Sequence, residues 1–132
     1  MSALERFTYV ADRGFEKINW RVPEITDPRG DCEDYALLAA WLYAGADWTG
    51  FWRDQIKFRS VIWLGKVPGG AVHAALWHRG LGWTDEGTRR WRDEPPMRLW
   101  FPIPWPMLAV LMAPGWLKLA ALVAAGWATW PM

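Results

Sequence analysis

The chain has little cysteine, and its charges nearly cancel. Cys32 is the single cysteine among the 132 residues, so no internal disulfide can form. The net charge is +1 and no run of basic residues occurs, so we do not expect nucleic acid as a partner. The first twenty residues also lack the apolar run of a secretory signal, which predicts synthesis in the reducing cytoplasm without export by the usual route.

Apolar residues and tryptophan are abundant instead. Apolar residues make up 52% of the chain, enough for a single compact core, which argues against disorder. Thirteen tryptophans are spread from Trp20 to Trp130. Tryptophan combines a large apolar ring with one polar N–H, so it suits a core, an interface or a membrane boundary. The count alone does not choose between these roles.

The hydrophobic pattern predicts an α+β fold. Apolar residues at helical spacing indicate a helix over 4–20, and a polar loop with two prolines follows over 21–30. The segment 31–45 predicts a helix that begins after Asp31 and ends near Gly45. Segments rich in β-branched and aromatic residues predict three antiparallel strands, over 57–64, 71–77 and 81–87.

Cys32 lies in the first turn of the predicted helix over 31–45. The exposed N–H groups and the dipole of a helix N-terminus lower the pKa of a thiol, and a thiolate attacks carbonyl groups. The carboxylates of Glu33 and Asp34 oppose that effect, so a catalytic cysteine here needs a histidine partner. Without such a partner, Cys32 is simply a small buried apolar residue.

Two histidines, His73 and His78, lie on the second predicted strand, on opposite faces because five positions separate them. We expect a three-residue loop, His78–Gly80, which would pair Trp77 with Leu81 and His73 with Asp85. His73 and Asp85 then share one face, close enough for the carboxylate to hold the imidazole. A two-residue loop would instead place Asp85 opposite Leu76, on the other face.

These residues resemble a known family. The string GDCEDYALLAAWL (30–42), followed by HAAL (73–76) and WTD (83–85), is similar to the bacterial transglutaminase-like cysteine peptidases, which include LapG-type periplasmic proteases. The resemblance covers about residues 5–90 and implies a papain-like core in which a cysteine-bearing helix packs on a small antiparallel sheet. The family's Asp-Asn pair is Asp85-Glu86 here, and its periplasmic members carry export signals.

The resemblance also implies residue roles. Cys32 would be the nucleophile, His73 the base and Asp85 the residue that fixes the imidazole tautomer. The backbone N–H of Cys32 would stabilise the oxyanion together with an upstream donor, for which Asn19 and Trp20 are the candidates. Water as acceptor gives hydrolysis of a peptide or peptidoglycan-type amide bond, whereas an amine gives cross-linking. No cofactor is required for this chemistry.

Calcium is a second implication, because some LapG-type members bind it through carboxylates around the cysteine. Asp31, Glu33 and Asp34 match that acidic cluster, although calcium takes six or more oxygen ligands and the sequence identifies no others. The alternative is that Asp31 caps the helix while Glu33 and Asp34 complement its dipole.

Residues 101–132 differ from the rest, because Lys118 is the only charged residue among them. As one helix, residues 103–130 would extend about 40 Å. Pro114 and Gly115 interrupt that run, so we expect two shorter helices, over 106–113 and 116–127, neither of which could span a bilayer. We therefore divide the chain into a peptidase domain, 1–98, and an apolar arm, 99–132, that docks on a protein partner or its own domain, or enters a membrane.

Two functions follow from these patterns. The first is a cysteine hydrolase that, by analogy with small phage particle components carrying peptidase-like folds, acts at the cell envelope as part of a virion. The second is an interaction subunit of a larger assembly, such as a phage tail or ejection machinery, that keeps the fold and uses the arm for docking.

Overall fold

The structure is a computed structural model that describes residues 3–10, 20–69, 72–114, 123, 124 and 126. This part of the chain contains both helices and strands, largely in separate runs, which confirms the predicted α+β class. In chain order they are β1 (Thr8–Tyr9), β2 (Arg29–Gly30), α1 (Cys32–Tyr43), α2 (Trp48–Ile56), β3 (Ser60–Lys66), β4 (Val72–His78), β5 (Gly82–Thr84), β6 (Arg98–Ile103) and α3 (Trp105–Met112).

The main sheet is four-stranded and antiparallel, in the order β5-β4-β3-β6. Helix α1 packs against one face of this sheet. Strand side chains alternate between the two faces, so every second one points toward the helix. The core between them is apolar; its buried members include Ala36, Leu37, Ala40, Phe51, Ile62, Ala74 and Leu76. The first residue of α1 therefore lies beside the central strand β4.

Helix α1 forms where the sequence predicts it. Asp31 is the N-cap, and its backbone N–H donates to Oδ2 of Asp34 at 3.0 Å, in a reciprocal capping arrangement. Ala44 is the C-cap, one residue before the glycine that was expected to end the helix. The second side of α1 is also covered, because Tyr35 and Leu38 pack on the N-terminal segment around Phe7. Burial on two sides explains why its apolar stripe is wider than one helical face.

The predicted helix over 4–20 is wrong for residues 4–10, and residues 11–19 lie outside the described part of the chain. Thr8 and Tyr9 form β1, which pairs in parallel with β2, and the N–H of Val10 donates to the carbonyl oxygen of Gly30 at 2.6 Å. Arg89 also binds this segment, through a 2.7 Å hydrogen bond to the carbonyl oxygen of Phe7. These tertiary hydrogen bonds outweigh a weak helical pattern.

Helix α2 was not predicted. It begins after Asp47, whose side chain accepts the N–H of Gly50 at 2.6 Å, and Lys57 is its C-cap. Because α2 extends to Ile56, the strand expected over 57–64 begins later, at Ser60, and continues to Lys66. A run of tryptophan, threonine and glycine has low helix propensity, so the pattern of this segment is poorly marked.

The β4–β5 hairpin has a different register from the predicted one. Trp77 pairs with Trp83 and His78 with Gly82, so the three-residue loop is Arg79–Leu81 rather than His78–Gly80. Gly82, with φ +90°, takes the left-handed position that was assigned to Gly80. The error is two positions, and a shift of two leaves every side chain on its predicted face. The expected third strand is also shorter, Gly82–Thr84 instead of 81–87.

The tryptophans occupy both core and surface. Trp20 and Trp83 are buried, whereas Trp48, Trp100 and Trp105 are exposed. On the sheet face opposite α1, aromatic and proline side chains line an apolar pocket of about 310 Å³; they include Trp63, Trp77, Trp83, Pro102 and Pro104. The core role is therefore present, and other tryptophans lie on the surface.

The first predicted helix of the C-terminal arm is confirmed as α3, while most of the second lies outside the described residues. The division predicted between residues 98 and 99 falls within β6, which pairs with β3. Ile103 and Leu108 are buried in the same core as α1. Among the described residues, none of the helices combines the length and apolar character needed to cross a membrane.

Candidate active site

Cys32 is the first residue of α1, and its sulfur lies against β4. The backbone N–H of Ala74 donates to Sγ at 3.4 Å, and the thiol lies 3.6 Å from Oε2 of Glu33. This contact is available because β5 is short and pairs only with Leu76–His78. Among the described residues, the first half of β4 thus has no paired strand on the β5 side. The sulfur accepts the hydrogen bond that a carbonyl oxygen of such a strand would accept.

His73 directly precedes the residue that binds the sulfur, and its ring is held by Asp85. Nε2 of His73 lies 2.6 Å from Oδ2 of Asp85, with side-chain exposures of 14% and 5% respectively. A carboxylate can only accept, so Nε2 carries the proton and Nδ1 is the free ring nitrogen. The contact predicted between these two residues is present, although Asp85 meets His73 from just beyond β5 rather than as its directly paired neighbour.

Thr88 holds the other oxygen of Asp85. The backbone N–H of Thr88 donates to Oδ1 at 2.9 Å, and its hydroxyl donates to the same oxygen at 2.5 Å. The chain turns here, with the N–H of Arg89 bound to the carbonyl oxygen of Asp85 at 2.8 Å. Sequence reasoning missed Thr88. The available signal was its position three residues after an aspartate, a spacing typical of turns closed by a side chain.

The carboxyl of Asp85 stays ionised in this setting. Burial works to raise its pKa, but the hydrogen bonds from His73 and Thr88 outweigh burial and leave the pKa below the ordinary value. Asp85 is therefore a fixed negative group whose two oxygens each have an assigned donor. Such a group fixes both the orientation and the tautomer of the His73 ring.

The thiol of Cys32, in contrast, is protonated at neutral pH. Burial raises its pKa to about 12, and the nearby carboxylates of Glu33 and Asp31 add to that, against the opposing hydrogen bond from Ala74. The pKa lowering expected from the helix N-terminus is thus wrong for this conformation, because loss of solvent and two acidic neighbours outweigh the helix dipole.

The side chains of Cys32 and His73 form no hydrogen bond with each other in the described part of the chain. His73 instead presents Nδ1 as its free nitrogen while its neighbour Ala74 binds the sulfur. The second histidine, His78, lies in a separate aromatic group with Tyr43 and Trp91, at centroid distances of 6.4 and 5.8 Å. The structure therefore brings His73 and Asp85 into contact and places the sulfur of Cys32 against the backbone of the neighbouring residue, Ala74, while His78 lies elsewhere.

The three residues expected to stabilise an oxyanion have different outcomes. The N–H of Cys32 lies in the first turn of α1, where a helix offers no internal acceptor, so it can serve a ligand. The backbone N–H of Trp20 donates to the carbonyl oxygen of Leu111 at 2.9 Å, and that N–H is therefore committed elsewhere. Asn19 lies outside the described residues.

The expected calcium ligands divide into two groups. Asp31, Cys32 and Glu33 each offer one ligand atom, and these atoms lie within 4.8 Å of one another. Asp34 is engaged in capping α1 through Oδ2. Calcium takes six or more oxygen ligands, so a calcium ion here would need ligands besides these carboxylates.

Tyr9 lies close to the thiol. The β1–β2 pairing places Tyr9 beside Gly30, two residues before the cysteine. Burial raises the pKa of its hydroxyl, as do the neighbouring groups of Cys32 and Asp31. The ring is otherwise exposed, so it forms part of the rim that a ligand of Cys32 would meet.

Comparison of the chain with protein-family models, with curated proteins and with solved structures finds no match. The site is therefore interpreted from its own geometry.

Proposed function

We propose that the protein is a cysteine hydrolase of the peptidase or amidase type, acting on peptide or peptidoglycan-type amide bonds without a cofactor. Cys32 is the nucleophile, His73 the base and Asp85 the residue that orients the base. A helix-borne cysteine packed on an antiparallel sheet supports the finer assignment of a papain-like, transglutaminase-like core.

One relationship supports the proposal most strongly. Two consecutive residues of β4 serve the two halves of the reaction: Ala74 binds the sulfur of Cys32, while His73 carries an imidazole bound to a buried carboxylate. A histidine that serves only as a core residue does not need a hydrogen bond to an ionised carboxylate whose other oxygen is held by a second donor.

The chemistry proceeds by acyl transfer. Sγ of Cys32 bonds to the amide carbonyl carbon as its proton passes to Nδ1 of His73, and the carbonyl electron pair moves to oxygen, beside the N–H of Cys32. The C–N bond then breaks, and the amine leaves with the proton from His73. Water attacks the resulting thioester while His73 removes its proton, and the sulfur leaves as a thiol when that proton returns.

The high pKa of the thiol decides how the first step occurs. A thiol with a pKa of about 12 is not ionised at neutral pH, so His73 must remove its proton during the attack itself. For this step Nδ1 of His73 has to face Sγ of Cys32 while Nε2 keeps its hydrogen bond to Asp85. A substrate that displaces the Glu33 carboxylate from the thiol favours this proton transfer.

An activated ester tests the site without knowledge of the natural substrate. With p-nitrophenyl acetate we expect a burst of about one equivalent of nitrophenolate and an acetyl group on Cys32, detected by mass spectrometry. The Cys32→Ala variant should lose the burst, and His73→Ala should slow it by about 10²-fold or more. The matched control is His78→Ala, which should behave as wild type. An absent burst in the wild-type protein, or one retained by Cys32→Ala, contradicts the proposal.

The substrate class needs a second assay. Release of peptides from fluorescein-labelled casein and from purified peptidoglycan should depend on Cys32 as the ester burst does. If the burst occurs and neither amide substrate is cleaved, the assignment of Cys32 as nucleophile is retained and the amide-bond substrate class is wrong.

A second candidate is an interaction subunit of a larger assembly, such as phage tail machinery, that keeps the fold without catalysis. The raised pKa of Cys32 and the exposed apolar side chains of α3 favour it. Deletion of residues 101–132 would not test it, because Ile103 and Leu108 belong to the core. The test is whether Cys32→Ala, correctly folded, leaves biological activity unchanged.

A further inference from the structure

Helix α3 has an unusual surface for a soluble helix. All eight of its residues, WPMLAVLM, are apolar, yet only Leu108 is buried. Val110 is 62% exposed, and Trp105 and Met107 are exposed as well. A helix that is apolar on every side is normally enclosed by protein or lipid. Within the described part of the chain, about half of α3 is therefore exposed although its sequence is apolar throughout.

Strand β6 extends the same surface. It is the last strand of the sheet order and so has a free edge. Trp100 and Phe101, on β6, are exposed. We call these two residues together with Trp105, Met107 and Val110 the β6–α3 surface. Five exposed large apolar side chains thus occur within eleven consecutive residues, and a concentration of exposed apolar side chains is typical of an interaction site.

The charges of the chain indicate which partner covers this surface. All fourteen acidic residues precede Pro95, whereas the two charged residues after it, Arg98 and Lys118, are both basic. Arg98 is exposed on β6, next to the β6–α3 surface. A charge asymmetry of this kind complements an anionic surface.

The polar groups of the surface also indicate the chemistry of the partner. From Leu99 to Gly115 the only polar side-chain groups are the indole N–H groups of Trp100 and Trp105. The side chains of this surface therefore offer a partner only two hydrogen-bond donors. A lipid interface needs apolar side chains in the acyl boundary and indole N–H groups at headgroup depth.

We propose that the β6–α3 surface binds the interface of an anionic lipid membrane, with α3 lying along the surface rather than across it. At about 1.5 Å per residue, an eight-residue helix is about 12 Å long, too short to cross a hydrocarbon core of about 30 Å. This surface lies on β6 and α3, elements that do not carry Cys32, His73 or Asp85, so the proposal is independent of the hydrolase assignment.

Vesicle flotation of the full-length protein tests the proposal. We expect cosedimentation or flotation with vesicles of phosphatidylcholine containing 30% phosphatidylglycerol, and at least fivefold weaker binding to pure phosphatidylcholine. Val110→Glu should weaken binding by about tenfold or more, because it places a charge in the apolar boundary. The matched control is Ile56→Glu, a comparable change at a 50% exposed residue at the end of α2, which should bind as wild type.

Arg98→Gln separates the charge contribution from the apolar one. It should reduce binding to the anionic vesicles by about fivefold and leave binding to neutral vesicles unchanged. The proposal is overturned if the protein binds neither vesicle, or if Ile56→Glu weakens binding as much as Val110→Glu does. It is also overturned if wild-type protein is a dimer without lipid that Val110→Glu converts to a monomer, since the surface then binds a second copy of the chain.

Discussion

Nε2 of His73 lies 2.6 Å from Oδ2 of Asp85, while Oδ1 of the same carboxylate accepts both donors of Thr88. Each oxygen of Asp85 therefore has one assigned task. An aspartate can perform both because both of its oxygens accept hydrogen bonds, whereas an asparagine has only one acceptor. This difference makes position 85 sensitive to a change that preserves its shape.

The first prediction concerns Asp85→Asn. Thr88 would take the single amide oxygen, so the amide N–H group would face Nε2 of His73 and force the ring proton onto Nδ1. The base would then be protonated at the atom that must accept the thiol proton. We expect acetylation by p-nitrophenyl acetate to slow by about 10²- to 10⁴-fold, with folding intact by circular dichroism. Asp93→Asn, at an exposed residue, is the control, and equal rates in the two variants would contradict the assignment.

The second prediction concerns Thr88, as a positioning residue. Thr88→Val removes the hydroxyl donor and keeps the backbone N–H, so the pKa of Asp85 should rise toward its ordinary value. A carboxyl with a lowered pKa stays ionised until the pH falls below that value. The acid limb of the acetylation rate should therefore move to higher pH in Thr88→Val, and Thr88→Ser should restore it. Thr26→Val is the exposed control; an unmoved acid limb in Thr88→Val would count against the role.

The sequence was informative about the site for a specific physical reason. The strand alternation has a period of two, so the two-residue error in the hairpin register left His73 and Asp85 on one face. A one-residue error would have separated them. The N-cap of α1 was readable because Asp31 and Asp34 bond each other locally.

Contacts between distant segments were not readable. Residues 4–10 have helical spacing, but β1 depends on pairing with β2, 21 residues later, and on Arg89, which lies 82 residues after Phe7 in the chain. The start of β3 was misplaced because α2, which precedes it, was not predicted. The sequence of α2 carries little helical signal. Nor could the sequence give the pKa of Cys32, because that value is set by burial beneath β4 rather than by helix position.

The third prediction concerns Glu33, whose buried carboxylate lies 3.6 Å from the sulfur. Removal of its charge in Glu33→Gln should lower the pKa of Cys32, since a negative neighbour disfavours the thiolate. The rate of alkylation by iodoacetamide at pH 8 should rise, by up to about tenfold per unit of pKa. In the wild-type protein the same rate should keep increasing toward a pKa of about 12. Glu24→Gln, at an exposed residue, should leave the rate unchanged.

The fourth prediction concerns the backbone before the cysteine. Gly30 has φ +151°, and a Cβ there would collide with the side chain of Asp34, which caps α1. Gly30→Ala should lower the free energy of unfolding by about 1–3 kcal/mol and displace the first turn of the helix. Gly80→Ala is the matched control, because its nearest neighbours would lie 3.9 Å away. Urea denaturation measures both, and similar losses in the two variants would refute this explanation.

The fifth prediction asks whether α3 is part of the domain or a separate arm. Leu108 is fully buried and packs in the core that also contains Phe51 and Ile62. Leu108→Ala should lower the free energy of unfolding by about 2–5 kcal/mol, since it leaves a cavity in that core. Val110→Ala, two residues away and exposed, should change it by less than about 0.5 kcal/mol. Urea denaturation followed by circular dichroism measures both. If the two variants unfold alike, α3 does not contribute to the core.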